Sequence, residues 1–151
     1  MQILPLAPPH RADWERLARA YKDFYQTPTT IAEFDAAWAR LLAGDTVCGL
    51  AAMHDSTVVG IAHFVFHANV WVSRVCYLQD LFTTPAARGR GVATALIEAV
   101  ARRAVERGAG KCYWMTHEQN LAARRLYDRV ARCRGFIRYD YELASRASGR
   151  S

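Results

Sequence analysis

The segment that most constrains the fold is LFTTPAARGRGVATALIEAV, which runs from Leu81 to Val100. A strand-like run ends before Pro85, and two arginines then alternate with two glycines in Arg88-Gly89-Arg90-Gly91. An amphipathic pattern begins directly afterwards, so the segment predicts a strand, a tight turn and a long helix. Because glycine carries no Cβ, this turn can bend sharply and approach a ligand closely.

The start of such a helix is suited to binding an anion. Its first backbone N–H groups have no partner within the helix, and the helix dipole makes this end positive. Arg88 and Arg90 add charges that bind phosphate bidentately. These features predict a pyrophosphate cradle. An ordinary strand-to-helix turn with solvated arginines fits the same spacing equally well.

Two familiar phosphate-binding motifs do not fit the turn. A P-loop requires Lys followed by Ser or Thr after its last glycine, but Val92 and Ala93 stand there. The dinucleotide-binding fingerprint requires a glycine or alanine three residues beyond Gly91, but Thr94 stands there. The turn therefore belongs to neither motif.

Composition sets the outer limits of the interpretation. The 151 residues predict a single domain over residues 1–143 and a small, polar, disordered tail over residues 144–151. The net charge of +6 favours an anionic partner: nucleic acid, a membrane surface or a phosphorylated small molecule. No run is apolar enough to span a bilayer and no signal-peptide pattern is present, so we expect a cytoplasmic protein. The four cysteines form no CxxC pair, and His63 and His67 lie too far apart on one strand to share a metal, so no metal is expected.

The order of elements predicted from periodicity is β-α-α-β-β-β-α-β-α-β, a mixed α/β sandwich with an antiparallel first half. Thr30 to Glu33 predicts a capping box, and Asp55-Ser56 predicts a hairpin. Strands are predicted over Lys111–His117 and Phe136–Leu143. Asn120 is predicted to cap the last helix, whose inward face would consist of Ala123, Leu126, Tyr127 and Val130.

Three motifs in order resemble the GNAT superfamily of acyl-CoA N-acyltransferases. RGRGVA, from Arg88 to Ala93, resembles the Arg/Gln-x-x-Gly-x-Gly/Ala signature, and YLQDLFT before it resembles the fourth strand of that family. NLAARRLY, from Asn120 to Tyr127, is similar to the Asn-x-x-Ala-x-x-x-Tyr helix, and RGFIRYDYEL resembles the closing strand. The resemblance covers Val47 to Leu143, is nearest the small-amine and polyamine branch, and implies a mostly antiparallel central sheet flanked by helices.

The resemblance implies an acetyl-CoA-dependent N-acetyltransferase that uses no metal. A primary amine of a small molecule or of a lysine side chain would attack the thioester directly. CoA and this amine would be the partners, and a homodimer is common in the family. The implied acetyl-CoA site consists of Leu81, Phe82, Thr83, Arg88, Gly89, Arg90, Gly91, Val92, Ala93, Thr94, Asn120 and Ala123.

Candidates for acid and base follow from the same resemblance. Tyr127 would be the general acid, since a phenol is protonated at neutral pH, although an amphipathic core tyrosine is the alternative. Gln79 stands where the branch often has Glu, and an amide does not take up a proton. Asp80 and His117 are the other candidates for the base. Period two along the strand places Asp80 and Gln79 on opposite faces.

The first helix is expected to contribute the substrate wall. Tyr21, Phe24 and Tyr25, together with Gln79, are the candidate substrate contacts, because aromatic faces bind cationic amines. Packing of the helix onto the sheet is the simpler interpretation for Tyr21 and Phe24.

Two alternatives to an enzyme remain open. A CoA-binding sensory or interaction module on the same fold is kept because Gln79 replaces a base. A nucleic-acid binder would use Arg102-Arg103 and Arg124-Arg125, but solvated polar helix faces explain these arginines. We therefore predict neither a nucleic-acid nor a membrane partner.

Overall fold

The computed structural model describes residues 1–143; the predicted tail, 144–151, lies outside the described residues. The chain divides into two compact units, Met1–His117 and the residues from Glu118 onward. The first unit contains the sheet and three α-helices, and the described part of the second, residues 118–143, contains one α-helix.

The sheet has five strands in the spatial order β1-β2-β3-β4-β5. The strands are β1 (Gln2–Pro5), β2 (Val47–His54), β3 (Thr57–His67), β4 (Val75–Thr83) and β5 (Lys111–Tyr113). The first four are antiparallel and β5 runs parallel to β4. The predicted hairpin at Asp55-Ser56 is confirmed, with φ values of 45° and 67° that suit the right-handed twist of the flanking strands.

The helices of the first unit lie on both faces of the sheet: α1 (Arg11–Phe24), α2 (Ile31–Ala43) and α3 (Val92–Glu106). Helices α1 and α2 bury Trp14, Leu17, Phe34 and Trp38 against a face that includes Ala51 and Ile61. A Cβ on Gly60 would lie 2.8 Å from Val92 Cγ1. Because neighbouring strand residues point to opposite faces, α3 packs on the other face, and Gly60 permits its close approach.

The capping box predicted for α2 is confirmed. The Thr30 hydroxyl accepts a hydrogen bond from the Glu33 N–H at 3.2 Å, and the Glu33 carboxylate accepts one from the Thr30 N–H at 2.7 Å. Gly44 ends the helix with φ of 63°. Local sequence alone accounts for both ends of this helix.

The second unit contains α4 (Leu121–Val130), capped as predicted by the Asn120 side chain, which accepts a hydrogen bond from the Ala123 N–H at 3.4 Å. The predicted inward face is confirmed in part, because Ala123, Leu126 and Tyr127 are half-buried, whereas Val130 is exposed. None of the ten residues of α4 is fully buried. An amphipathic pattern shows which side of a helix is apolar, but not how completely that side is covered.

Two strand predictions also require correction. The strand predicted over Lys111–His117 stops at Tyr113. The segment Phe136–Leu143, predicted as the final strand, joins no ladder among the described residues, and Phe136 is 92% exposed. Its alternating aromatic and β-branched residues favour a pleated surface, but a strand forms only where a neighbour completes its hydrogen bonds.

Candidate active site

The predicted turn between β4 and α3 bends through two left-handed glycines. A short 3₁₀ turn over Pro85–Ala87 follows the strand. Gly89 and Gly91 then have φ values of 73° and 77°, which side chains with a Cβ rarely adopt. A Cβ at either position would meet no atom within 4 Å. The outer side of the turn is therefore open space, as a ligand cradle requires.

The N-terminus of α3 points unsatisfied donors out of this turn. The bond from the Ala95 N–H to the Gly91 carbonyl, at 3.0 Å, is the first of the helix. The N–H groups of Val92, Ala93 and Thr94 therefore have no hydrogen-bond acceptor within the helix. Within the described first turn there is neither an acidic residue nor a side-chain cap. The charge and the donors both favour an anion.

The edge of β4 that leads to this turn has no strand partner over most of its length. The parallel ladder with β5 begins at Val75 and ends where Tyr77 pairs with Tyr113. Beyond that point, within the described sheet, Leu78 and the residues from Asp80 to Thr83 pair only with β3 on their other side. The backbone of this segment can therefore bind an extended chain as an additional strand.

Thr83 adds an unusual polar atom at the end of the same strand. Its Oγ1 is buried and has no hydrogen-bond partner among the described residues. An unpaired buried hydroxyl costs about 1–3 kcal/mol, so such groups generally have a partner in a bound ligand or water. Arg88 also contacts this residue, through a 3.4 Å bond from its Nε to the Thr83 carbonyl.

A bulge in β4 lies at Gln79. The register pairs Phe64 with Leu78 and His63 with Asp80, so Gln79 is the extra residue on β4. Gln79 is exposed, and the strict period two predicted for this strand is interrupted there. Bulges redirect side chains and weaken pairing. Here the bulge brings Asp80 opposite His63.

Asp80 is a mostly buried carboxylate with a hydrogen-bond donor in His63. Its Oδ2 lies 2.9 Å from Nδ1 of His63, its side chain is 17% exposed, and the Tyr21 hydroxyl lies beside it. Burial raises the pKa of Asp80, but the hydrogen bond from His63, the Tyr21 hydroxyl and the charge of Lys22 together hold it below its usual value. Asp80 is therefore ionised at neutral pH.

Aromatic side chains of α1 and its C-terminal cap lie beside this carboxylate. Burial raises the pKa of Tyr21, and the charge of Asp80 adds to the effect. The same two causes, in the same order, raise the pKa of Tyr25. The rings of Tyr21 and Tyr25 lie 4.9 Å apart, and the Tyr25 ring lies 6.0 Å from that of His117. The structure thus brings together four of the predicted site residues.

Phe24 does not pack onto the sheet, contrary to the simpler interpretation of the sequence. Its side chain is 64% exposed and contacts Tyr25 with a ring separation of 5.0 Å. Tyr21 is half-buried and packs edge-on to Phe82 at 6.5 Å, which agrees with packing.

The other predicted site residues lie on α4. Tyr127 is half-buried, and its carbonyl accepts a hydrogen bond from the N–H of Ala131 at 2.8 Å. Asn120 serves as the N-cap through Ala123, which confirms the plainer of its two interpretations. Roles of these residues toward a ligand stay predictions.

The described residues 1–143 contain no cluster of three or more His, Cys, Asp or Glu side chains able to hold a metal ion. The same residues include no helix with the length and hydropathy needed to span a membrane.

Comparison with known proteins identifies the family. Residues 14–131 match the model of the acetyltransferase (GNAT) family. The chain belongs to this family. It is 36% identical over 140 residues to the D-amino-acid N-acetyltransferase HPA3 of Saccharomyces cerevisiae, covering 85% of this chain and 83% of that protein. It is 33% identical over 72 residues to the thialysine N-ε-acetyltransferase of Mus musculus, covering 48% and 42%.

Solved structures agree on the fold. The aminoglycoside N-acetyltransferase AAC(6')-Iy in complex with CoA superposes with a TM-score of 0.78 at 21% identity, over 95% of this chain and 100% of that one. The predicted GNAT fold and the predicted acetyl-CoA-dependent N-acetyltransferase class are confirmed. The acceptor amine is a finer question.

Sequence reasoning did not identify two residues that the structure connects to Asp80, His63 and Trp14. His63 appears there only as half of a rejected metal pair, and Trp14 does not appear among the candidates. The signal was available in part, because a buried tryptophan requires a partner for its N–H. The partner itself depends on the register of β3 and β4, which a bulge shifts.

Proposed function

We propose that this GNAT protein transfers an acetyl group from acetyl-CoA to a primary amine of a small molecule or of a lysine side chain. The observation that carries the proposal is the continuity of two features. The edge of β4 beyond Tyr77, which has no strand partner in the described sheet, leads directly into the open N-terminus of α3. An extended amide-containing arm and a diphosphate would fit these features in that order.

The donor side uses backbone groups more than side chains. Leu81, Phe82 and Thr83 would pair with the pantetheine arm through their main chain, and Thr83 Oγ1 would gain the partner that it lacks among the described residues. The diphosphate would accept hydrogen bonds from the turn and the first turn of α3. These donors belong to Arg88, Gly89, Arg90, Gly91, Val92, Ala93 and Thr94.

The acceptor side would be formed by the carboxylate of Asp80 and the rings of Tyr21 and Tyr25. An ionised, partly exposed carboxylate beside aromatic faces attracts a cationic amine. With its pKa below the usual value, Asp80 is a weak proton acceptor, so we assign it to binding and orienting the amine. His117, which contacts Tyr25, is the proposed proton acceptor.

The proposed general acid is Tyr127, and Asn120 and Ala123 would bind the pantetheine arm. This assignment rests on the Asn-x-x-Ala-x-x-x-Tyr motif, whose helix is present and capped as the motif requires. A protonated phenol can donate to the departing thiolate as the amide bond forms.

The names of the relatives narrow the first amines to test. D-amino acids and thialysine are the substrates in the names of the yeast and mouse relatives. Both classes are small molecules with a primary amine and a carboxylate. A panel should contain these two classes, polyamines, an aminoglycoside and a lysine-containing peptide.

The direct test is release of free thiol from acetyl-CoA in the presence of each amine. We expect turnover with at least one small amine and binding of CoA by calorimetry without any amine. Absence of both turnover and CoA binding would contradict the proposal. CoA binding without turnover on the whole panel would instead favour the alternative, a CoA-binding sensory or interaction module, which the amide at Gln79 supports.

Three further properties are proposed: a single functional domain over residues 1–143 and a cytoplasmic location, on the basis of length and composition, and a homodimer, on the basis of the resemblance. Exposed apolar side chains in Phe136–Leu143 support self-association. Light scattering after size exclusion should give twice the chain mass of 17.0 kDa, and a monomer would contradict the dimer.

A further inference from the structure

A chain of hydrogen bonds connects the core of the first unit to Asp80. The indole Nε1 of Trp14 lies 2.8 Å from Nε2 of His63. Nδ1 of the same imidazole lies 2.9 Å from Oδ2 of Asp80. Three residues from three elements, α1, β3 and β4, thus form one continuous path.

The direction of these bonds fixes the state of His63. An indole N–H can only donate, so Nε2 of His63 must accept and carries no proton. The proton of the neutral ring is therefore on Nδ1 and is donated to Asp80. The hydrogen bonds assign the Nδ1–H tautomer, which is the form that presents a donor to the carboxylate.

Each end of the path is held in place. Trp14 is 1% exposed, and its ring packs 4.9 Å from Trp38 and 6.3 Å from Phe34. Tyr21 lies seven residues after Trp14, on the same face of α1, and its hydroxyl lies beside Asp80. Helix α1 therefore approaches the carboxylate twice, once through the bond from Trp14 to His63 and once through Tyr21.

We propose that Trp14 and His63 are positioning residues that hold Asp80 in one orientation as an ionised carboxylate for the acceptor amine. This inference rests on the proposed function, in which Asp80 binds the amine. A carboxylate has about four acceptor sites, and His63 uses one of them. The Asp80 side chain is 17% exposed, so part of the carboxylate is accessible to an amine.

The pH dependence follows from the groups that face Asp80. These are His63 on β3 and Tyr21, Lys22 and Tyr25 from α1 and its cap. Burial raises the pKa of Asp80 and the His63 donor lowers it. Without that donor, the pKa of Asp80 would rise and the carboxylate would take up a proton at a higher pH. Amine binding through the anion would then fail at a higher pH than in the wild type.

Two substitutions at His63 distinguish the effect of its hydrogen bonds from the effect of the space that its side chain fills. His63→Leu introduces an apolar side chain of similar size, which cannot form hydrogen bonds to Trp14 and Asp80. His63→Gln offers one acceptor and one donor on a planar amide and can restore both bonds. We expect His63→Leu to lower kcat/KM for the amine about 10- to 100-fold, mainly through KM. We expect His63→Gln to lower it less than about threefold, since both hydrogen bonds can form.

The measurements are amine kinetics against pH and CoA affinity by calorimetry. For His63→Leu, the acid limb of kcat/KM should move to higher pH while CoA affinity stays within about twofold, because the donor side is intact. A role in folding alone would lower stability equally for both variants without moving the acid limb. Equal kinetics for the two variants, or kcat/KM for folded His63→Leu within threefold of the wild type, would overturn the inference.

A spectroscopic readout on the wild-type protein needs no turnover. Nitrogen-15 NMR of the histidine rings distinguishes the two neutral tautomers, and we expect the Nδ1–H form for His63. Observation of the Nε2–H form would overturn the inference even if no amine substrate is found. Failure of the proposed function has a different signature, since the wild type would then show the expected tautomer but neither turnover nor CoA binding.

Discussion

At the scale of single residues, the hydroxyl of Thr83 and the carboxylate of Asp80 are the most informative groups. One is buried without a partner among the described residues, and the other accepts a hydrogen bond from His63. The sequence identified both positions as candidates. It did not reveal the difference between them, because that difference depends on which neighbours pairing and packing supply.

Thr83→Val tests whether the hydroxyl serves a ligand. The two side chains have nearly the same shape, and the buried Oγ1 makes no bond within the described residues. We expect the free energy of unfolding without ligand to stay constant or to rise by about 1 kcal/mol. CoA affinity should fall several-fold in calorimetry. A stability loss with unchanged CoA affinity would show that the hydroxyl has a structural partner.

Tyr127→Phe tests the proposed general acid. The phenyl ring retains the packing of the side chain, while the proton donor is lost. We expect kcat to fall about 10²- to 10⁴-fold with CoA affinity unchanged. A rate within threefold of the wild type would remove Tyr127 from the mechanism, and Tyr139→Phe, an exposed tyrosine outside the motif, is the matched control.

At the scale of elements, local signals were the most reliable. The capping box of α2, the hairpin at Asp55-Ser56 and the glycine turn before α3 all follow from short-range sequence patterns. The strand over Phe136–Leu143 did not form, because a strand depends on a partner elsewhere in the chain. The bulge at Gln79 could not be predicted for the same reason, since it is a property of two strands in register.

A hydrogen bond between α1 and β3 is expected to make the stability of the protein depend on pH. The Val58 N–H donates to Asp13 at 3.0 Å, and this bond, with smaller contributions from Arg16 and His10, holds the pKa of Asp13 below its usual value although burial opposes it. A lowered folded-state pKa contributes stability above the unfolded-state pKa, which is lost as pH falls through the folded value.

We therefore expect Asp13→Ala to reduce the free energy of unfolding by about 1 kcal/mol at pH 7. The difference from the wild type should shrink as pH falls below about 4. Asp23→Ala, near the other end of the same helix, is the control. Denaturant unfolding at several pH values measures both, and a difference that does not change with pH would contradict the assignment.

At the scale of the whole molecule, the net charge of +6 narrowed the partners to anions but did not choose among them. The order of elements along the chain favoured CoA among these anions, because a strand, a glycine turn and a helix follow one another as in the donor site of the GNAT family. The acceptor side was less predictable. It depends on the packing of α1 against the sheet near β4, which makes Asp80 and Tyr21 neighbours only after folding.

The central claim is that the N-terminus of α3 binds the diphosphate of CoA, and one pair of substitutions tests it. Gly91 and Gly108 flank the same helix with φ of 77° and 70°, and a Cβ at either position meets open space. Alanine at either site should therefore cost a similar 1–2 kcal/mol of stability. Only Gly91 orients the donors of the first turn.

The deciding measurement is CoA affinity by calorimetry for Gly91→Ala and Gly108→Ala. Our account predicts at least a roughly tenfold loss of affinity for Gly91→Ala, equivalent to one charge-assisted hydrogen bond. It predicts less than about a twofold change for Gly108→Ala, which leaves that end of the helix intact. Equal affinities for the two variants would contradict the claim.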